Sequence, residues 1–257
     1  MPATQEGRIS KRRTSRSQNP TRRVSNSRTL PLVERTNALP TPEFISQYVS
    51  PLLASGSTGP ETKTQEPLEP TPSPNASLDV YSATTIPAAD LEACLDLIEQ
   101  TSGADYAASG AGWSRPKKRK EMKLPDMKYL ILRNATLSDA PNQPVSGASS
   151  GSVLGFLSCM VTYEDGKEVI YCYEIHLSPA ARGRGLGALL MSRMEGIGRL
   201  VGVEKAMLTV FKANMTARQF YEKGGYEVDE YSPQPRRLRN GTIKEFDYLI
   251  LSKHLTG

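Results

Sequence analysis

The sequence predicts an α+β fold, with a mixed central sheet flanked by helices and a disordered basic tail in front of it. Three observations carry this expectation. Residues 1–77 are rich in Ser, Thr, Pro and charge, and cannot bury enough apolar surface to offset the entropy of ordering. Beyond them, segments of helical and of strand periodicity interleave. Two apolar runs, "VLGFLSCMVTY" and "VIYCYEIHL", also flank an Asp165-Gly166 turn, the pattern of an antiparallel hairpin. The expected organisation is a tail over 1–77 and one domain over 78–257, a usual size for a single domain.

The net charge of +5 belongs mostly to the tail, where "GRISKRRTSRSQNPTRRVSNSR" contains no acid. Such a segment suits nucleic acid, an anionic surface or an import receptor. Between Pro2 and Arg28 only Ala3, Ile9 and Val24 are aliphatic. The stripe of a mitochondrial presequence is therefore missing, and a nuclear address ranks above it. "RRTS" and "RRVS" look like substrates of basic-directed kinases, and the apolar island "EFISQYVSPLL" is given no function. No run reaches the roughly 18 apolar residues of a membrane span, so no membrane partner is expected. Cys94, Cys159 and Cys172 show no CxxC spacing, and only His176 and His254 accompany them. The expectation is reduced buried thiols and no metal.

Within the domain, "IPAADLEACLDLIEQ" predicts a helix, with Pro87 in its first turn and Leu91, Leu95 and Ile98 at helical spacing. "RPKKRKEMKLPD" predicts one or two exposed helical turns, with Arg115, Lys117, Lys118, Arg119 and Lys120 as a solvated face. "KYLILRN" is a strand, and a Ser- and Gly-rich loop runs from Thr136 to Ser152. The hairpin follows. Then Leu186, Leu189, Leu190, Met194, Ile197 and Leu200 trace one helical face. "KAMLTVF" is a buried strand, "NMTARQFYEK" a helix ended by Gly224-Gly225, and "YEVDE" and "EFDYLILSKHL" are strands.

Between the hairpin and its following helix lies "AARGRGLGALL", with three glycines and two arginines in Arg182, Gly183, Arg184, Gly185, Leu186 and Gly187. The first N–H groups of a helix lack intrahelical acceptors and carry the positive end of the dipole. Glycines let a ligand approach the backbone, so the turn suits a pyrophosphate. It lacks the Gly-Lys-Ser/Thr of a Walker loop and the dinucleotide glycine pattern. The bland alternative is a flexible connection with two solvated arginines.

Arg182-x-x-Gly185-x-Gly187 after a strand resembles the acetyl-CoA signature of the GCN5-related N-acetyltransferase superfamily. Asn214, Ala217, Phe220 and Tyr221 in "NMTARQFYEKGGYE" resemble its second signature, in which the Asn contacts the cofactor and the Tyr sits near the thioester sulfur. "EVIYCYEIHL", "AMLTVFKANMTARQFY", "YEVDEYSP" and "TSGADYAASGAGWSRPKKRKEM" are similar to the NatD-type N-alpha-acetyltransferases, which acetylate core histone N-termini. The likeness runs from about Ile86 to Leu255. It departs from the family near Thr162, where the family carries an acidic residue. The implied fold is that superfamily's, and the implied co-substrate is acetyl-CoA, held along Ile175, His176, Leu177, the glycine turn, Asn214 and Tyr221.

Acetyl transfer to an α-amine needs a neutral amine, a polarised thioester carbonyl and a protonated leaving thiolate. The amine's ordinary pKa of about 7.7–8.0 asks for only a modest base. Glu174, inside "IYCYEIHL", is the candidate, against the alternative of an exposed strand carboxylate. Tyr221 is the candidate acid. Tyr171, Tyr173 and Tyr248 are expected to line the peptide groove, with plain sheet packing as the other reading for Tyr171. Strict alternation sends Tyr173 and Glu174 to opposite faces, so both reach one site only if the strand bulges, which would also release an N–H near Ile175 for the carbonyl oxygen. His176 is expected to be structural, beside the cofactor. Tyr106 and Trp113 are substrate-side aromatics by resemblance. Asp229 and Glu230 are expected to receive the arginine of a Ser-Gly-Arg-Gly tail.

These readings converge on a monomeric N-alpha-acetyltransferase of histone N-terminal tails in nucleus and cytoplasm, working by direct attack in a ternary complex. The basic segments suit contact with nucleosomal DNA. The rivals are a lysine or small-amine acetyltransferase and a silent chromatin-binding module.

Overall fold

The computed structural model describes residues 30–54, 76–110, 112–134, 151–237 and 239–255. The basic segment up to Arg28, with its kinase-like strings, and most of the loop after Thr136 lie outside the described residues.

A seven-stranded sheet organises the chain, in the order β1 (Ala76–Ser82), β2 (Lys128–Asn134), β3 (Val153–Glu164), β4 (Lys167–Leu177), β5 (Lys205–Phe211), β9 (Tyr248–His254) and β6 (Glu227–Val228). All neighbours are antiparallel except β4 and β5. The hairpin between β3 and β4 turns on Asp165 and Gly166, both at positive φ (49° and 84°). Two positive φ values are what a two-residue turn needs to match the strands' twist. The parallel pair requires a crossover, supplied by α6 (Leu186–Val201). Every residue of β5 is buried, as its position inside the sheet demands.

Each face of the sheet carries its own core. On one side α6 buries Leu186, Leu189, Leu190, Met194 and Ile197 against Ile170, Cys172 and Leu208. Leu200, read from the sequence as part of that stripe, is instead exposed. On the other side α4 (Ala88–Ala108) and α5 (Arg115–Met122) cover Tyr129, Phe156, Tyr171 and Tyr173 with Leu95, Ile98, Tyr106 and Met122. Helix α7 (Met215–Lys223) follows β5 and starts at Asn214, whose Oδ1 accepts the Ala217 N–H at 3.0 Å.

Four elements differ from the sequence reading. Residues 30–54, inside the stretch expected to lack order, form α1 (Leu32–Asn37), α2 (Thr41–Phe44), a π-helical turn (Ile45–Val49) and α3 (Ser50–Ala54). Phe44 and Val49 are each 1% exposed, and burying such side chains contributes about 1.5–3 kcal/mol each. Asn37 donates to Val161 O, Arg193 donates to Leu52 O, and Gly196 leaves room for Leu52 on α6. The apolar partners of this strap lie more than a hundred residues away, so its own composition did not reveal it. Strand β1, unassigned from sequence, covers the β2 edge. Helix α4 continues through Gly103 to Ala108, because buried Tyr106 at its end packs on Trp113 and Phe211. "YEVDE" pairs only over β6, and a separate ribbon, β7 (Arg236–Arg237) with β8 (Ile243–Lys244), precedes β9.

Candidate active site

Strands β4 and β5 pair from Val169↔Lys205 to Cys172↔Leu208 and then part. A cleft opens where they separate, lined by Cys172, Tyr173, Glu174, Ile175 and His176 from β4, and by Leu208, Thr209, Val210 and Phe211 from β5. Ser102 of α4 and Asn214, Ala217 and Tyr221 around α7 complete it.

The register places the chemistry. Ser158 faces Glu174 across the β3–β4 ladder, whereas its neighbour Cys159 faces Cys172. Tyr173 is therefore an extra residue, a β-bulge, and the alternation of side chains shifts by one after it. Tyr171 and Tyr173, then Glu174 and His176, all lie on the α4 and α5 side. Ile170 and Cys172, then Ile175 and Leu177, pack on the α6 side. The bulge required to bring Tyr173 and Glu174 into one site is present.

Glu174 is 3% exposed and is held at three points. Its Oε1 accepts from Tyr106 Oη at 3.0 Å and from Lys118 Nζ at 2.9 Å, and its Oε2 meets His176 Nε2 at 2.6 Å. Burial alone would raise its pKa, but the Lys118 ammonium and the His176 contact prevail and hold it well below the carboxylate range. A carboxylate offers about four acceptor positions. Three are used, so the remaining one is on Oε2. Lys118 also reaches Glu121 at 2.9 Å and is raised in pKa by its two carboxylates against the opposing effect of burial. Burial raises the Tyr106 phenol, as does the charge on Glu174. Cross-strand from Glu174, the buried Ser158 Oγ has no hydrogen-bond partner among the described residues.

The glycine turn stands at the far end of β4. Gly183 and Gly185 adopt φ of 72° and 73°, and a Cβ on either would meet nothing within 4 Å. Gly185 caps α6 without a side-chain bond to the helix's first N–H groups, and Arg182 and Arg184 are exposed, in no ion pair among the described residues. Gly187 lies under the Phe220 ring, which would be 3.4 Å from an added Cβ. Only a residue without a side chain lets α6 start this close to α7. Tyr221 is buried in the cleft lining, and burial keeps its phenol protonated far above neutral pH.

Several expected residues stand elsewhere. Asp229 is buried and bonded to Lys205 Nζ at 2.6 Å. Lys205 is level with Val169, five residues before Glu174 and so about 16 Å down the sheet. Asp229 is thus the counter-ion of a buried lysine, not a receiver at the cleft, and exposed Glu230 follows it there. Tyr171 is core, with its hydroxyl on Thr209 at 2.5 Å. Tyr248 is half-buried opposite Phe211, outside the cleft lining. Trp113 stacks on Tyr106 at 5.3 Å and donates to Glu99, flanking the site. The basic segment is not a solvated face throughout: Arg115 and Arg119 pair with Glu92, Asp96 and Glu99, and Lys118 is 5% exposed. Thr101, Ser102, Lys118 and Glu121 were not foreseen. The i,i+3 spacing of Lys118 and Glu121 was the one available signal, since Glu174 is 56 residues away.

Residues 110–226 match the acetyltransferase (GNAT) family model. The chain carries a GNAT acetyltransferase domain. This GNAT chain is 33% identical over 171 residues to N-alpha-acetyltransferase 40 of Saccharomyces cerevisiae, covering 59% of this chain and 58% of the yeast protein. It is 28% identical over 75 residues to the uncharacterized N-acetyltransferase YycN of Bacillus subtilis, covering 29% of this chain and 48% of that protein. It thus spans less than two thirds of either relative's length. Among solved structures, an acetyltransferase from Streptococcus agalactiae is 14% identical with a TM-score of 0.49, covering 70% of this chain and 99% of that one.

The cofactor implied by the GNAT family fits these residues. The open space at Gly183 and Gly185, the uncapped α6 terminus and two unpaired arginines make a cradle for a pyrophosphate. No described helix is long and apolar enough to cross a membrane.

Proposed function

We propose that the protein is an N-alpha-acetyltransferase that acetylates the N-terminal amine of core histone tails, in nucleus and cytoplasm, by direct attack in a ternary complex. The observation that carries this reading is the β4 bulge, which sets Tyr173 and Glu174 side by side in the cleft between the parting strands. Similarity to the yeast N-alpha-acetyltransferase supports the reaction class. The histone substrate rests on the NatD-like segments and is the finer part of the proposal.

Acetyl-CoA, when bound, supplies the activated acetyl group and the leaving thiol. Arg182 to Gly187 would hold its phosphates at the α6 terminus, and Asn214 its pantetheine arm, with the side-chain amide nitrogen left over from capping α7. The Ile175 N–H beside the bulge serves as donor to the carbonyl oxygen. Glu174 receives the amine proton at the open position on Oε2. Tyr173 orients the incoming backbone, while Tyr106 and Lys118 keep Oε1 from rotating toward it. Tyr221, kept as a phenol by burial, provides a proton from Oη at the cleft floor.

The test is acetylation of a Ser-Gly-Arg-Gly peptide against a lysine-bearing peptide with a blocked N-terminus, followed by mass spectrometry. Acetyl on the α-amine alone is expected, and Glu174→Gln should lower turnover by roughly 10²-fold. Acetyl on the lysine side chain would overturn the reading.

A further inference from the structure

His176 was expected to be structural, yet it is tied into the proton path. It lies two residues beyond Glu174 on the same face, 7% exposed and in the cleft lining. Its Nε2 is 2.6 Å from Glu174 Oε2, and its Nδ1 is 2.6 Å from Thr101 Oγ1 of α4. Thr101 Oγ1 also donates to Leu97 O at 2.7 Å. A threonine hydroxyl has one hydrogen to give. While it goes to Leu97 O, Nδ1 must be the donor to Thr101, and the ring's remaining lone pair, on Nε2, points at Glu174.

We propose that His176 is the resting place of the proton that Glu174 removes from the amine. The inference rests on the N-alpha-acetyltransferase reading. The amine N–H bond breaks and an O–H bond forms at Glu174 Oε2. That bond then breaks as the N–H bond forms at His176 Nε2, and the imidazolium later releases its proton to solvent. Two features favour the transfer. Lys118 keeps Glu174 ionised, so the carboxylate returns a proton readily. An imidazolium 2.6 Å from that carboxylate is paired at once. The groups facing His176 are Glu174 on β4, Thr101 and Tyr106 on α4, and Lys118 and Glu121 on α5 acting through Glu174. From β3 it meets the Phe156 ring at 5.7 Å. His176 acts through Glu174, so a structural role must be separated from a proton-holding one.

The chain has two histidines, which makes a titration readable by NMR of 13C-labelled imidazoles without turnover. One titrating resonance should vanish in His176→Gln. In Glu174→Gln that resonance should titrate about one pH unit lower, because the imidazolium loses its anion. Glutamine can donate to Oε2 but cannot take up a proton. In His176→Gln, kcat should therefore fall at least about tenfold, and one ionisation should disappear from the acid side of its pH profile. Thr101→Val, which leaves Nδ1–H without an acceptor, should move both readouts in the same direction and serves if His176→Gln fails to fold. An unmoved resonance in Glu174→Gln, or a variant within about twofold of wild type with the same profile, overturns the relay alone. A wild-type protein that acetylates no peptide α-amine overturns the relay together with the proposed function.

Discussion

Lys118 Nζ lies 2.9 Å from Glu174 Oε1, with side-chain exposures of 5% and 1%. Helix α5 thus reaches the catalytic face of β4 through one ion pair. Breaking such a pair from one side leaves a buried charge uncompensated, at a cost of about 3–5 kcal/mol. Lys118→Met should lower the unfolding free energy by that amount in urea titration at pH 7. It should also raise the Glu174 pKa, since burial then acts with less opposition. A loss below about 1 kcal/mol would mean that Tyr106 and His176 suffice to hold the carboxylate.

The strap over residues 30–54 predicts a stepped response to truncation. Deleting residues 1–29 should leave thermal stability unchanged. Deleting residues 1–54 removes Phe44 and Val49 from the core and uncovers the α6 face at Gly196. Phe44→Ala alone should cost about 3–5 kcal/mol. Equal melting temperatures for the two truncations would show that the strap does not hold the domain together.

Acid should weaken the fold through two carboxylates. Burial would raise the pKa of Asp229, but its bond to Lys205 lowers it, as Lys118 and His176 lower that of Glu174. A depressed carboxylate contributes stability above its unfolded-state pKa and loses it as pH falls through the folded value. The loss should therefore begin near pH 4 and deepen below it. Asp229→Asn should be less stable than wild type at pH 7 and lose less on acidification, by unfolding titrations at several pH values. It should not change preference for an arginine-bearing peptide, because Asp229 sits down the sheet from the cleft. A selective loss of that preference would return Asp229 to the site.

Gly185→Glu should abolish acetyl-CoA binding in calorimetry. The side chain would enter open space at the α6 terminus and bring a negative charge to the dipole's positive end. Normal affinity in a folded variant would remove the cradle assignment.

All three cysteines are buried, and burial pushes each thiol up, Cys159 to about 12. Alkylation of the native protein at pH 8 should be slow at Cys94, Cys159 and Cys172 alike, and fast after unfolding, by peptide mass spectrometry. Rapid labelling of Cys172 alone would show that the cleft opens to its floor.

Sequence periodicity by itself determined the hairpin, α6, β5 and α7, because each is decided by local pattern: alternation, a helical stripe, a two-residue turn. The glycine turn was legible for the same reason, since positive φ and an uncapped helix start are backbone properties. The need for a bulge at Tyr173 and Glu174 also followed from alternation, although only the β3 register shows where it falls. Tertiary structure decided what charges do. Lys118 reads as one cation in a run and becomes the buried partner of Glu174. Asp229 reads as an exposed acid and becomes the partner of Lys205. His176 reads as a lone histidine and becomes Glu174's neighbour on the same face. Electrostatic roles depend on distance and burial across elements far apart in the chain, and the same holds for the strap, whose apolar faces become legible only against the surface they cover.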